Sequence, residues 1–170
     1  SVTEPEKFWL SLWDFAGVVA ETRGDSVLRD PDRMPGALWF PEARLNFAEN
    51  LLRRRDQAPA LIFRGETGVE RTLSHGDLYD LVSRMAQGMA AAGIGEGDRV
   101  AGYLPNIPES LAAMLAAASL GAIWSSCSPD FGVQGVLDRF GQIEPRMFVA
   151  VDRYFYNGKS IDCLPRIAEV

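Results

Sequence analysis

Twenty consecutive residues, Ser110 to Pro129, carry no charge, and Gly121 divides them into an alanine-rich half and a shorter half, GAIWSSCSP. An uncharged run of that length is long enough to span a bilayer. Its alanines make it only weakly hydrophobic, however, the glycine interrupts it, and Ser125, Ser126 and Ser128 crowd one end. It reads instead as a buried helix followed by a buried strand, with no membrane span. Helices and strands that are both hidden from water are the parts of an open parallel sheet with helices on its faces, so the expected fold class is α/β.

The neighbouring segments continue that pattern. RVAGYLP from Arg99 reads as a strand, Pro108 to Leu120 as a helix and Ala122 to Ser126 as a strand. A helix carrying Val133, Val136, Leu137, Phe140 and Ile143 follows, then a strand at Arg146 to Val151. The order is β-α-β-α-β, a three-layer unit, and such short connections predict parallel strands joined by right-handed crossovers. Upstream, ALIFRG and VERTLS predict a hairpin around Gly65 to Gly68. Ser74 with Asp77 three residues on predicts a capped helix start. The helix it opens carries Leu78, Leu81, Val82, Met85, Met89 and Ala92 as one apolar stripe and stops at Gly93. Its methionines are core filler.

Residues 1–58 read differently. Phe8, Leu12, Phe15 and Val19 recur at helical spacing beside Trp9 and Trp13, and after a Pro- and Asp-rich loop RLNFAENLLRRR predicts a second helix. Arg53 to Arg55 at its end complement the helix dipole. This region is expected to be a helical lead-in without a sheet. Residues 59–170 are expected to be the first part of a larger α/β domain, because the segment from Ser160 to Val170 starts a helix on which the sequence stops.

Composition narrows the function. A net charge of −6 and a pI near 4.8 exclude a nucleic-acid binder, which needs clustered Lys and Arg to displace counterions from phosphates. Two cysteines without metal-ligand spacing and a single histidine support neither a zinc site nor a disulfide framework, and a reducing cytoplasm is expected. No basic targeting segment is recognisable. No Ser/Thr/Gly-rich loop with a lysine is present to cradle ATP phosphates, and no GxGxxG follows the first parallel strand, which reads YLPNIP.

In open parallel sheets, ligands bind beyond the carboxyl ends of the strands. The candidates are Pro105 and Asn106 after the first strand, Ser126 to Phe131 after the second, and Asp152 to Lys159 after the third, three loops expected to share one edge. The last, with YFYNGK, combines stacking surfaces, a glycine and one of only two lysines, which suits a nucleotide-like ring beside a phosphate. An ordinary Asn-Gly surface turn gives the same residues. His75 reads as a capping or surface residue rather than a general base, and Cys127 as an inert thiol at a strand end.

WFPEARLNFAENLL, LSHGDLYDLVSRMAQGMAAAGIGEGDRVAGYLPN, LGAIWSSCSPDFG and VLDRFGQIEP, in this order, resemble the N-terminal part of the acetoacetyl-CoA synthetases, a branch of the adenylate-forming superfamily. The likeness spans nearly the whole chain. Leu73 to Leu78 resembles the first motif of the superfamily, with His75 where many members have tyrosine, and SPDFG and YNGK resemble the acetoacetate branch in particular. The resemblance implies an ATP-dependent acid–thiol ligase. Acetoacetate attacks ATP to give an acyl-adenylate and pyrophosphate, with Mg2+ serving that step, and the thiol of CoA then displaces AMP. The phosphate loop and the catalytic lysine lie later in such proteins. These 170 residues are therefore expected to be inactive alone, Lys159 is not that lysine, and no metal ligand is expected here.

What the resemblance places in this stretch is part of the CoA site: Ser128, Pro129, Asp130 and Phe131 on one CoA-lining turn, and Tyr156, Asn157, Gly158 and Lys159 on a second segment. Lys159 would meet a CoA phosphate, Tyr156 would flank the adenine and Gly158 would let the backbone approach. Two positions depart from the acetate branch, Tyr156 in place of arginine and Asp130 in place of glycine. Asp130 is expected to face away from phosphate or to bond the backbone at a helix start. The alternatives are a fragment of an acetyl- or propionyl-CoA synthetase, or a non-catalytic nucleotide-binding or interaction module. An isolated half-sheet is expected to self-associate through uncovered apolar edges.

Overall fold

In the computed structural model, which describes residues 3–170, the chain divides into two units, residues 1–50 and 51–170.

The first unit is built on aromatic contacts. Helix α1 (Pro5–Ala16) begins with a proline, whose missing N–H falls where the first turn has no partner to offer. It ends at Gly17, in the left-handed region at φ 57°. Of the anticipated stripe, Phe15 is 90% exposed, whereas Phe8 contacts the Trp9 ring and Leu12 lines the same apolar hollow as Trp9, Trp13, Trp39 and Phe40. The tryptophans beside it make the long-range ring contacts: Trp9 lies 5.3 Å from Trp39, and Trp13 lies 4.6 Å from Phe40, centroid to centroid. Those partners come from a short antiparallel pair, β1 (Leu28–Arg29) and β2 (Leu38–Trp39), so the lead-in is not purely helical. The predicted second helix is short, α2 (Phe47–Leu51), and Arg53 to Arg55 lie beyond it. Arg54 pairs with Asp56 at 2.9 Å and Arg55 lies 3.8 Å over the Tyr79 ring, so both have partners other than the helix dipole.

The second unit follows the predicted order closely. Strands β3 (Pro59–Arg64) and β4 (Glu70–Ser74) form an antiparallel hairpin. Ser74 and Asp77 close a full capping box at the start of α3 (His75–Ala91). The Ser74 hydroxyl also holds the Asp77 carboxyl below the usual carboxylate range. Strand β5 (Arg99–Tyr103), helix α4 (Pro108–Ser119), strand β6 (Ile123–Cys127), helix α5 (Val133–Phe140) and strand β7 (Met147–Ala150) follow. The three strands are parallel in the order β6-β5-β7, with β5 central.

Alternation along β5 assigns the layers. Ala101 and Tyr103 join Cys127, Val136 and Phe140 in a core on the α5 face. Val100 and Gly102 point the other way, and α4 packs against β5, β6 and α3 with Ala112, Ala113, Leu115, Ala116 and Ala117 all buried. Burial around most of α4 is why its sequence carries no polar stripe. A Cβ at Gly102 would stand 2.4 Å from the Trp124 ring, so only glycine fits in the central strand beside that indole.

Beyond β7 the structure corrects the sequence reading. Asp152 to Lys159 is not an irregular loop. It is most of a second antiparallel hairpin, β8 (Arg153–Tyr156) and β9 (Lys159–Asp162), followed by α6 (Leu164–Glu169). Asn157 and Gly158 both have positive φ, 51° and 73°, the turn whose twist matches that of the flanking strands. No helix among the described residues is long and apolar enough to cross a membrane.

Candidate functional site

The three segments expected at one sheet edge do leave it together. Leu104 donates its N–H to the Cys127 carbonyl and Val151 donates to the Tyr103 carbonyl, so the chain exits β5, β6 and β7 side by side. Between the exits of β5 and β7 and the tip of the β3–β4 hairpin lies a cleft of about 460 Å³, bordered by Phe63, Glu66, Asn106, Arg153 and Phe155.

The turn Ser128–Phe131 is fixed from behind. The Tyr103 hydroxyl, buried in the core, lies 2.7 Å from the Pro129 carbonyl and 2.8 Å from the Phe131 carbonyl and shares its one proton between them. Arg166 of α6 donates to the Pro129 carbonyl at 3.0 Å. Within the turn, the Ser128 hydroxyl donates to Asp130 Oδ2 at 2.8 Å and accepts from the Asp130 N–H at 3.3 Å. Phe131 lies under the Arg139 guanidinium at 3.9 Å.

The Asp130 carboxylate bonds side chains rather than the backbone at the helix start. Tyr154 of β8 donates its hydroxyl to Asp130 Oδ1 at 2.7 Å, so both carboxylate oxygens accept side-chain hydrogen bonds. Tyr154 and then Ser128 hold the Asp130 carboxyl below its ordinary range. Burial, reinforced by the bond to Asp130, pushes Tyr154 up to about 12. A tyrosine within reach is the reason for the difference, since a hydroxyl donor removes any need for the carboxylate to find the helix start.

The second segment sits at the opposite end of the same hairpin. Tyr156 and Lys159 pair across the tip, and Tyr156 is 60% exposed. A Cβ at Gly158 would meet nothing within 4 Å, so the space beside its Cα is open. The Gly158 N–H donates to the Glu66 carboxylate at 3.1 Å, joining this tip to the tip of the β3–β4 hairpin. The two predicted segments are linked through Tyr154, two residues before Tyr156.

Burial raises the pKa of both cysteines, which are free, and this fits the reading of Cys127 as inert. His75, the first residue of α3, donates its backbone N–H to the Ala58 carbonyl. Among the described residues no group of three or more His, Cys, Asp or Glu side chains is placed to hold a metal ion.

Comparison with known proteins matches residues 47–169 to the AMP-binding enzyme family and residues 1–51 to the acetyl-coenzyme A synthetase N-terminus. The chain belongs to the AMP-binding enzyme family. Within it, this member is 56% identical over all 170 residues to acetoacetyl-coenzyme A synthetase of Rhizobium meliloti, covering 26% of that protein. It is 42% identical over 177 aligned positions to malonamoyl-CoA synthetase of Penicillium aethiopicum, covering 100% of this chain and 24% of that one. The solved structure of acetoacetyl-CoA synthetase from Streptomyces lividans superposes with a TM-score of 0.92 at 43% identity, covering 98% of this chain and 26% of that one. The chain spans about a quarter of the length of the relatives it matches.

Reasoning from sequence missed three groups in this AMP-binding fold: Tyr103, Arg166 and Glu66. Tyr103 carries a signal, a tyrosine ending the small, apolar stretch Val100 to Gly102, since a buried phenol needs a partner for its hydroxyl. Arg166 and Glu66 carry none, because their partners lie 37 and 92 residues away.

Proposed function

We propose that this chain is the N-terminal part of an ATP-dependent acetoacetate–CoA ligase and that it contributes one wall of the CoA site. The observation that carries this reading is identity of 56% along the whole chain to a protein named for acetoacetyl-CoA. The comparable likeness to a malonamoyl-CoA synthetase supports the CoA part in particular. Acetoacetyl and malonamoyl groups differ at their far end, methyl against amide, and share the thioester partner. A stretch common to both enzymes is expected to serve the ligand they share.

In the complete enzyme the carboxylate of acetoacetate attacks ATP, releasing pyrophosphate, and the thiol of CoA then displaces AMP from the acyl-adenylate. This chain's residues bind and orient CoA for the second step. Lys159 supplies the cation for a CoA phosphate, Tyr156 an exposed ring face for the adenine, and Asn157 and Gly158 an open backbone turn between them. Ser128, Pro129, Asp130 and Phe131 form the facing wall, and no residue here carries out a bond-making step. The magnesium ion that serves the first step has no ligand set among the described residues. Residues 1–58 are assigned as the N-terminal extension and 59–170 as the first part of the adenylate-forming domain, and the buried thiols suit a reducing cytoplasm.

The test uses the full-length protein, with acetoacetate, acetate and propionate compared as substrates for CoA-dependent release of AMP. Acetoacetate should have the highest kcat/KM, and preference for acetate or propionate would refute the substrate. Lys159→Ala should raise the KM for CoA while leaving the KM for ATP in place. An unchanged KM for CoA would remove this segment from the site.

A further inference from the structure

We propose that Tyr154 is a positioning residue for CoA: its hydroxyl ties the carboxylate of Asp130 to hairpin β8–β9 and so fixes the spacing between the two segments that meet the ligand. The proposal rests on the reading that Ser128–Phe131 and Tyr156–Lys159 form the CoA wall.

Three observations carry it. Tyr154 is only 8% exposed, so its ring is fixed in the core and holds its hydroxyl 2.7 Å from the carboxylate of the exposed Asp130. Of the side chains that hold the Ser128–Phe131 turn from outside, Tyr103 comes from β5, Arg166 from α6 and Tyr154 from β8. Tyr154 is thus the one carried by the hairpin that bears Tyr156 and Lys159. Finally, the turn carries an acid beside a surface proposed to receive phosphate, and that side chain is held in one orientation. Both carboxylate oxygens of Asp130 are engaged, one by Tyr154 and the other by Ser128. Loss of the phenol hydroxyl removes the side-chain tie from the hairpin to that carboxylate, while the ring remains in the core.

Full-length Tyr154→Phe is compared with wild type by steady-state kinetics in CoA, in ATP and in acetoacetate, and by acid-dependent ATP–pyrophosphate exchange, which needs no CoA. The KM for CoA should rise roughly tenfold, with the exchange rate and the other KM values within about twofold. Asp130→Ala should raise the KM for CoA similarly, and the double variant should be no worse than the worse single, since each removes the same contact. Asp130→Asn, which keeps an oxygen for the tyrosine hydroxyl, should recover most of the affinity. If Y154F fails to fold, D130A, at an exposed position, decides the same question. An unchanged KM for CoA, equal rises in all three KM values, or additive single effects would overturn the proposal. Lys159→Ala separates the two levels. A rise in that variant without one in Y154F sinks only the role of Tyr154, whereas no rise in either sinks the CoA reading itself.

Discussion

The two turns of the proposed CoA wall are built on opposite plans. Ser128–Phe131 rests on the core: Pro129 is buried, and side chains from three other elements, β5, β8 and α6, hydrogen-bond to the turn. Tyr156–Lys159 projects from the core, its side chains exposed and its backbone held at the tip by Glu66. A ligand therefore meets one surface whose shape is set before it arrives and one that can adapt to it. Preorganisation on one side lowers the ordering cost of binding, and exposure on the other leaves a cation and a ring face free to engage. Substitution of Tyr103 behind the first turn should register as stability, and substitutions at the second turn, or at the Tyr154 tie between the two, as affinity.

The largest effect should come from Tyr103→Phe. The Phe131 carbonyl loses its tyrosine donor, while the Pro129 carbonyl keeps Arg166. A partly buried acceptor left unsatisfied costs about 1–3 kcal/mol, to be read from urea unfolding of the full-length protein. A loss of CoA affinity at unchanged stability would reverse the contrast between the turns. Lys159→Ala is the complement, with a KM for CoA raised about tenfold, or about 1.4 kcal/mol, and no measurable shift in unfolding midpoint. A destabilised K159A would show that the tip is structural after all.

Next in size is Gly158→Ala. The new Cβ would touch nothing, so its cost is that of φ at 73° alone, about 1 kcal/mol within the hairpin. The KM for CoA should rise roughly threefold as the turn shifts. A larger rise would mean that the ligand lies against the Cα itself.

Most of the second unit was legible because its residues answer to periodicity. Ser74 with Asp77, the stripe from Leu78 to Met89, and the uncharged run through α4 and β6 each state their local structure in a few neighbouring positions. The β8–β9 hairpin was not legible. Its strands are four residues each, its Asn-Gly turn was recognised as a turn, and yet only Tyr154 of β8 is buried, which leaves no alternation to detect. The first unit misled for a different reason. Apolar residues lie round much of α1, and which of them find partners is decided by Trp39 and Phe40, more than twenty residues away, which leaves Phe15 exposed. Of the site, the residue types were legible and the ties between them were not, since the bond from Tyr154 to Asp130 depends on where the hairpin folds back.

Glu66→Gln should give a small effect of opposite sign. Its carboxylate accepts from the N–H of Gly158, the residue before Lys159, at the turn proposed to receive a CoA phosphate. Glutamine keeps an oxygen acceptor and removes the charge, so CoA should bind about two- to threefold more tightly, most visibly at low salt. Weaker binding by E66Q would mean that the charge of Glu66 is needed to hold the tip for the ligand.

The smallest effect expected is none. Asp130 has a folded pKa below its ordinary 3.8, so the stability it lends is present above that value and is lost as pH falls through the lowered one. Tyr154 is raised from 10.0 to about 12, so its contribution is present below 10 and is lost as pH rises toward 12. Neither group titrates between about pH 5 and 9, a window set by the ordinary carboxylate and phenol ranges. The ratio of KM for CoA between Y154F and wild type should accordingly be constant across that window, even though CoA's own phosphate titrates within it. A ratio that drifts between pH 6 and 8 would show that another ionisable group reaches the turn when CoA is bound, and the tie between Tyr154 and Asp130 would no longer account for the spacing of the two segments.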